Sequence, residues 1–536
     1  MSGRGSASRQ DRSPVTDADV CVIGAGPAGA LVADHLASAQ DVVVLEAGPR
    51  FDPGDRVERQ ERAIRPAFDR PDVWEMGGKR DDHAASGEWF YPLNHARVKG
   101  VGGSTLHWQG MVMRLHEEDF ASGTERGVGP DWPIDYADLQ PYYADAETEL
   151  GVSGADDNSF APPREQPHPM PAFPPSYSDS LFAEACDELG IAMHSVPNAR
   201  NSEPFDGRSE CAGYGTCQPV CPSGAKYDGT VHVERAESQG ATVIDRARVE
   251  RLAHNADAIE AAVYTTPDGT EHRQEADAFV LACGGVETPR LLLMSDSEQY
   301  PGGLANSSGL VGRYFMDHLF AGVGGVLDEP TRQNHVGFLT SESHQFYDDA
   351  DEEVGPFKLE FFNYAGSSPV ELALTGDDWG DDLLERLQSA YGNHVAVGAL
   401  VEQLPREDSY VGLDPERTDD RGNPVPDVHW TVGDRALRTI ERANGIQRSI
   451  LQELGAEITW TVGPDDTGPA YHHMGTTRMG TDPASSVVDP ACRTHDLANC
   501  WIAGSSVFPT GGAMNPTLTI AALALRVADA VDATLE

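Results

Sequence analysis

The chain has 536 residues, enough for one large or several smaller folding units with substantial cores. Acidic residues outnumber basic ones 86 to 39, and the formal charge of −47 excludes a bare polyanion as partner, whether nucleic acid or anionic membrane. Apolar residues make up only 39%, but the deficit is spread along the chain, which excludes wholesale disorder.

Residues 1–17 are polar, rich in Arg and Ser, and lack the apolar core of a secretion signal, so they read as a disordered leader. A short apolar run, Val20-Cys21-Val22-Ile23, leads into Gly24-Ala25-Gly26-Pro27-Ala28-Gly29 and then into Leu31, Val32 and Leu36 at helical spacing. A second run, Val42-Val43-Val44-Leu45, ends in Glu46, which completes a strand–turn–helix–strand unit. Glycines at 24, 26 and 29 let a backbone turn approach a pyrophosphate at a helix N-terminus. A carboxylate at Glu46 accepts from ribose hydroxyls and repels a 2′-phosphate, so the dinucleotide is FAD or NAD and not NADP. The proline- and charge-rich stretch 49–82 reads as an irregular excursion, and Gly102, Gly103, Ser104 and Thr105 follow as an anion nest.

Seven prolines between Pro162 and Pro175 exclude a regular helix or central strand there and mark a boundary. A helix is predicted over 178–189, and strands over 241–244, 279–282 and 395–401. Cys211, Cys217 and Cys221, with Pro222, form C-x5-C-x3-C-P, which lacks the C-x2-C of a zinc knuckle and shares its tail with iron–sulfur ligation. Three thiolates suit a three-iron cluster; a disulfide between two of them, or plain reduced thiols, are the alternatives. Cys21, Cys186, Cys283, Cys492 and Cys500 read as small buried apolar residues. Eight cysteines are too sparse for a disulfide scaffold, and no apolar run reaches the 18 residues of a membrane span, so the expected place is the cytoplasm.

The last seventy residues carry Tyr471-His472-His473-Met474-Gly475-Thr476 and then Gly504-Ser505-Ser506-Val507-Phe508-Pro509-Thr510-Gly511-Gly512-Ala513-Met514-Asn515-Pro516. With the N-terminal glycine motif, the Gly100–Trp108 loop and the run Gly284-Gly285-Val286-Glu287-Thr288-Pro289, the chain resembles the glucose-methanol-choline family of FAD-dependent oxidoreductases over roughly half its length. The resemblance implies an α/β fold. A Rossmann-like FAD-binding domain is expected from the discontinuous segments 18–115, 205–326 and 461–536, with an inserted substrate domain of mixed or antiparallel sheet from 116–204 and 327–460.

The resemblance also implies a catalytic pair. His472, three residues before Gly475-Thr476, is the residue that acts on a substrate hydroxyl, with His473 its neighbour, and Asn515 is the second catalytic position. Imidazole is poised near neutrality to take a hydroxyl proton as hydride leaves carbon for the flavin, and Asn515 can bond the substrate oxygen while also capping the helix that starts at Pro516. Gly24, Gly26, Gly29, Glu46, Gly102, Gly103, Ser104, Thr105, Val249 and Gly504 are the expected cofactor contacts, Val249 by resemblance alone. The cysteine trio resembles that of family members holding a [3Fe-4S] cluster, in which a small subunit and a cytochrome take the electrons. A dehydrogenase subunit is therefore expected, and a sugar, polyol or other small alcohol as its substrate. An NAD-dependent dehydrogenase and a non-catalytic flavin electron carrier are the rival readings.

Only four of the 39 basic residues are lysines, and Asp and Glu crowd nearly every loop. Self-repulsion at this charge density weakens a compact state until salt shortens the Debye length to about 3 Å at 1 M, so the chain reads as salt-adapted. The melting temperature is expected to climb between dilute buffer and molar KCl; a flat response contradicts salt adaptation.

Overall fold

The computed structural model describes residues 17–64, 73–332, 337, 339–363 and 366–536. The expected leader lies outside the described residues but for Asp17, as does 65–72 of the expected excursion, whose described part holds a helix, Arg56–Ala63.

The first sheet is parallel, with strands in the order Cys500–Ile502, Ala278–Leu281, Val20–Ile23, Val42–Leu45 and Thr242–Ile244. The runs VCVI, VVVL and AFVL are buried at every position, as strands covered on both faces by helices must be. Pro27–Leu36 packs between Thr230–Gln239 and the C-terminal helix Thr517–Leu535. Gly29 makes the approach of helix to strand possible, because a Cβ there would stand 1.9 Å from the Gly24 carbonyl oxygen. Since all five strands run the same way, Gly24, Glu46, Cys283 and Gly504 emerge at one edge although Cys283 and Gly504 lie hundreds of residues further along the chain.

The second sheet is antiparallel and has seven strands. Its main order is Glu457–Val462, Leu319–Val326, His394–Val401, Phe357–Phe362, Leu339–Ser343 and His194–Ser195, with Gly468–Pro469 also pairing to Leu319–Val326. It takes strands from both sides of positions 326 and 461. Alternation divides its faces: Leu319, Ala321, Val323, Val395, Val397, Phe357, Leu359 and Phe361 pack with Ile440, Ala443 and Ile450 of helix Asp434–Glu453. Phe320, Leu400, Glu360 and Phe362 lie on the opposite face, which lines a cavity shared with the first sheet's edge.

The helix expected over 178–189 runs from Tyr177 to Leu189, capped by Ser176, which accepts from the Asp179 amide while Asp179 accepts in return. The expected strand over 395–401 begins one residue earlier, at His394. Asn515 is no helix cap: the final helix starts at Thr517 with Pro516 in the capping position, which leaves the Asn515 amide free to face the cavity.

Gly29→Ala is expected to destabilise the protein by about 1–3 kcal/mol through overpacking. Gly26→Ala, whose Cβ would meet nothing nearer than the Gly103 Cα at 3.9 Å, should leave unliganded stability within about 0.5 kcal/mol. Thermal denaturation of the two variants checks the contrast.

Candidate active site

The strand ends meet at a cavity of about 780 Å³. Gly24, Gly26, Glu46, Gly103, Ser104, Thr105, Val249, Gly504, His472 and Asn515 all line it, whereas Gly29 and Gly102 do not. Gly102 works behind the wall: its amide donates to the Ala25 carbonyl at 2.9 Å and ties the second glycine loop to the first. A Cβ on Gly103 would sit 2.7 Å from the Gly26 Cα, while one on Gly504 would meet nothing within 4 Å, so the two loops close on each other and leave an open groove beside Gly504. Glu46 is 6% exposed and accepts from the Ala25 amide at 2.9 Å and the Gly48 amide at 2.8 Å. Burial raises its carboxyl above the usual range, against the pull of those two amides. The Ser104 hydroxyl accepts from Val98 at 3.2 Å and the Thr105 hydroxyl accepts from Gly229 at 2.9 Å, so both fasten the loop as well as facing the cavity.

His472 stands at the end of a hydrogen-bonded chain. His318 Nε2 faces two carbonyl oxygens, Gly512 at 2.9 Å and Gly511 at 3.3 Å, and must carry the proton there. Neutral His318 then offers only a lone pair at Nδ1, which lies 2.8 Å from His472 Nδ1, so His472 is the donor of that bond. The His472 lone pair is thereby fixed on Nε2, 3.4 Å from the Asn515 side-chain amide nitrogen. Burial pushes His318 down to about 4 and His472 well below an ordinary histidine, with the nearby His318 and Lys358 adding to the effect on His472. The His472 backbone amide donates to Asp317 Oδ1 at 2.7 Å, and the other oxygen of Asp317 accepts from the Tyr91 hydroxyl. His473 packs against Tyr91 and Phe315, and its ring is driven down to about 3 by burial. Asn515 Oδ1 and His473 Nε2 are buried and have no hydrogen-bond partner among the described residues.

Cys211, Cys217 and Cys221 lie outside the cavity lining, behind Trp108, Gln109 and Gln218, which do line it. All eight cysteines are free thiols. Gly213 donates to Cys211 Sγ at 3.4 Å, Arg200 to Cys217 Sγ at 3.6 Å, and Ser223 Oγ lies 3.6 Å from Cys221 Sγ. Burial alone would raise Cys221, but the Lys226 amide and ammonium and the Ser223 hydroxyl bring it below an ordinary thiol, while burial holds Cys211 above. Lys226 is itself buried, donates to the Cys217 carbonyl at 2.8 Å and is lowered to about 8 by burial. Cys21, Cys186, Cys492 and Cys500 are buried as expected. Cys283 departs from that expectation: it precedes the helix Gly284–Met294, is only partly covered and lines the cavity, because the strand end it occupies opens there.

Sequence reasoning missed Asp317, His318, Tyr91 and Glu360. Its one available signal was the pair of charges in the apolar run Phe357-Lys358-Leu359-Glu360-Phe361-Phe362. Nothing local marks His318 among eighteen histidines.

Two sequence models described as GMC oxidoreductase match residues 92–320 and 405–524. The fructose dehydrogenase large subunit of Gluconobacter japonicus is 36% identical over 96% of this chain and 97% of its own. A 2-methyl-1,2-propanediol dehydrogenase of Mycolicibacterium austroafricanum is 34% identical over 95% and 94%. Among solved structures, the formate oxidase of Aspergillus oryzae superposes with a TM-score of 0.69 at 17% identity, covering 98% of this chain and 99% of that one, a likeness of fold.

Burial raises Asp317 to about 7, against the hydrogen bonds from Tyr91 and His472. A carboxyl raised on folding stabilises fully below its unfolded value near 4 and loses that contribution as pH rises to about 7. The melting temperature of Asp317→Asn minus that of the parent should therefore increase from pH 4 to 7 and level off above; a constant difference contradicts the assignment.

Proposed function

The chain belongs to the GMC oxidoreductases, enzymes acting on CH–OH groups, and from that premise we propose that it dehydrogenates a sugar, polyol or other small alcohol on FAD and hands the electrons to an external acceptor. The reading is carried by one observation: the His472 Nε2 lone pair, beside the Asn515 amide, opens into the same cavity as Gly24, Gly26, Gly103 and Gly504.

The groove suits FAD. Gly26 and Gly504 leave open space where a side chain would intrude, and Glu46 retains lone pairs for ribose hydroxyls beyond the two it gives to backbone amides. Val249, which lines the same cavity, would neighbour the adenine, and Ser104 and Thr105 would hold the pyrophosphate or the flavin. When bound, FAD supplies the acceptor for the hydride that leaves the alcohol carbon. His472 Nε2 takes the hydroxyl proton as that C–H bond breaks, and its Nδ1–H continues to donate to His318 in the imidazolium form. Asn515 orients the substrate oxygen. Burial keeps His472 unprotonated at neutral pH, ready as a base. An NAD enzyme has no use for this pair, and a flavin electron carrier needs no base.

Cys211, Cys217 and Cys221 would hold a [3Fe-4S] cluster. Amide, guanidinium and hydroxyl donors around the sulfurs suit thiolate ligands, and such hydrogen bonds tune cluster potentials. A cluster lets electrons leave singly toward a small subunit or cytochrome, and the similarity to a protein named as a large subunit supports such a partner. No helix among the described residues is long and apolar enough to cross a membrane.

Protein purified anaerobically in high salt should show a flavin spectrum, three irons with acid-labile sulfide, and flavin bleaching by at least one alcohol. His472→Ala should lower kcat/KM by about 10²–10⁴-fold with flavin retained. Absence of flavin with NADH binding, or bound FAD that no alcohol bleaches, overturns the reading.

A further inference from the structure

We propose that Glu360 selects the substrate. Its carboxylate accepts from clustered O–H or N–H donors of a polyhydroxylated alcohol and turns away carboxylate-bearing analogues. The inference rests on alcohol oxidation at His472 and adds the chemistry of the rest of the substrate.

Glu360 lies on the strand Phe357–Phe362, from which it and Phe362, two residues apart on one face, line the cavity. Its neighbours there are Phe320 and Phe362, stacked at 6.1 Å with 16° between rings. They lie over Gly398, where a Cβ would come within 2.7 Å of the Phe362 ring, and Gly398 is the residue paired across from Glu360. A carboxylate beside two aromatic faces suits a ring or chain that carries hydroxyls on its edge and C–H groups on its faces.

The carboxylate is held in place from behind. Lys358, fully buried, lies 2.9 Å from Glu360 Oε1 and 2.9 Å from Glu342 Oε2, and Glu342 Oε1 pairs with His344 Nε2 at 3.0 Å. Burial keeps His344 neutral at about 4, so one ammonium serves two carboxylates and the assembly presents net negative charge. The second oxygen of Glu360 has no partner among the described residues. Lys99, Arg248 and Arg290 also line the cavity, but they belong to the nucleotide side and are spent on Glu287, Asp420 and Asp419 at 3.1, 2.9 and 2.8 Å. The sheet side adds Asp466 and no lysine or arginine among the described lining residues. An anionic substrate would meet repulsion and no counter-charge.

The test compares the flavin-replete enzyme on three six-carbon probes, a neutral polyol or ketose, its amino-substituted counterpart and an aldonate, each assayed with an artificial electron acceptor. The neutral and amino probes should be turned over with kcat/KM at least tenfold above the aldonate. Glu360→Gln should raise KM for the neutral probe about tenfold with kcat within threefold, and narrow the discrimination against the aldonate. Equal or better use of the aldonate, or an unchanged KM in a folded variant, overturns the proposal. If the variant does not fold, the parent's selectivity among the three probes decides alone. Oxidation confined to simple monoalcohols refutes this inference and leaves the proposed function standing, whereas no oxidation of any alcohol refutes the function itself.

Discussion

The site depends on one hydrogen bond between two neutral imidazoles. A histidine ring can be donor or acceptor at either nitrogen, and in solution neither tautomer is held. Here the carbonyls of Gly511 and Gly512 settle the tautomer of His318, and His318 settles that of His472. The carbonyls come from the same glycine run that carries Asn515, so the segment that fixes the His318–His472 tautomers also delivers the neighbour of His472. Burial removes the competing charged form of both rings. The parallel sheet brings the glycine groove to the same cavity, and the antiparallel sheet closes it from the other side.

The extreme charge of the chain gives its few lysines meaning. Lys79 is exposed, but the other three are sunk into the fold: Lys99 between Asp81 and Glu287, Lys226 behind the cysteine trio, and Lys358 between Glu342 and Glu360. A compact ammonium on a flexible stem can reach more than one carboxylate, as Lys99 and Lys358 do. The buried cations neutralise carboxylates inside the fold.

Much of the nucleotide side was readable because it is local. Strand, glycine turn and helix lie within about twenty residues, and backbone geometry dictates the residue type at each turn. The last seventy residues announced His472 and Asn515 through a recognisable run, although the helix cap expected at Asn515 falls one position later, at Pro516. Gly29 and Gly102, expected as cofactor contacts, do not line the cavity; their constraint is helix packing and loop closure. His318 and Asp317 were invisible because their partners lie about 150 to 190 residues away, and no periodicity records such a contact. Glu360 was half visible: a charge inside an apolar strand signals a reason for being there, but only the register of the sheet reveals which face it serves.

The most direct test of the central claim is the nitrogen-15 NMR spectrum of protein labelled at histidine, with His472 assigned by comparison with His472→Asn. The account predicts a protonated Nδ1 and an unprotonated Nε2 at His472, unchanged between pH 5 and 8. A proton on Nε2, or an imidazolium that forms near pH 6.5, would contradict it.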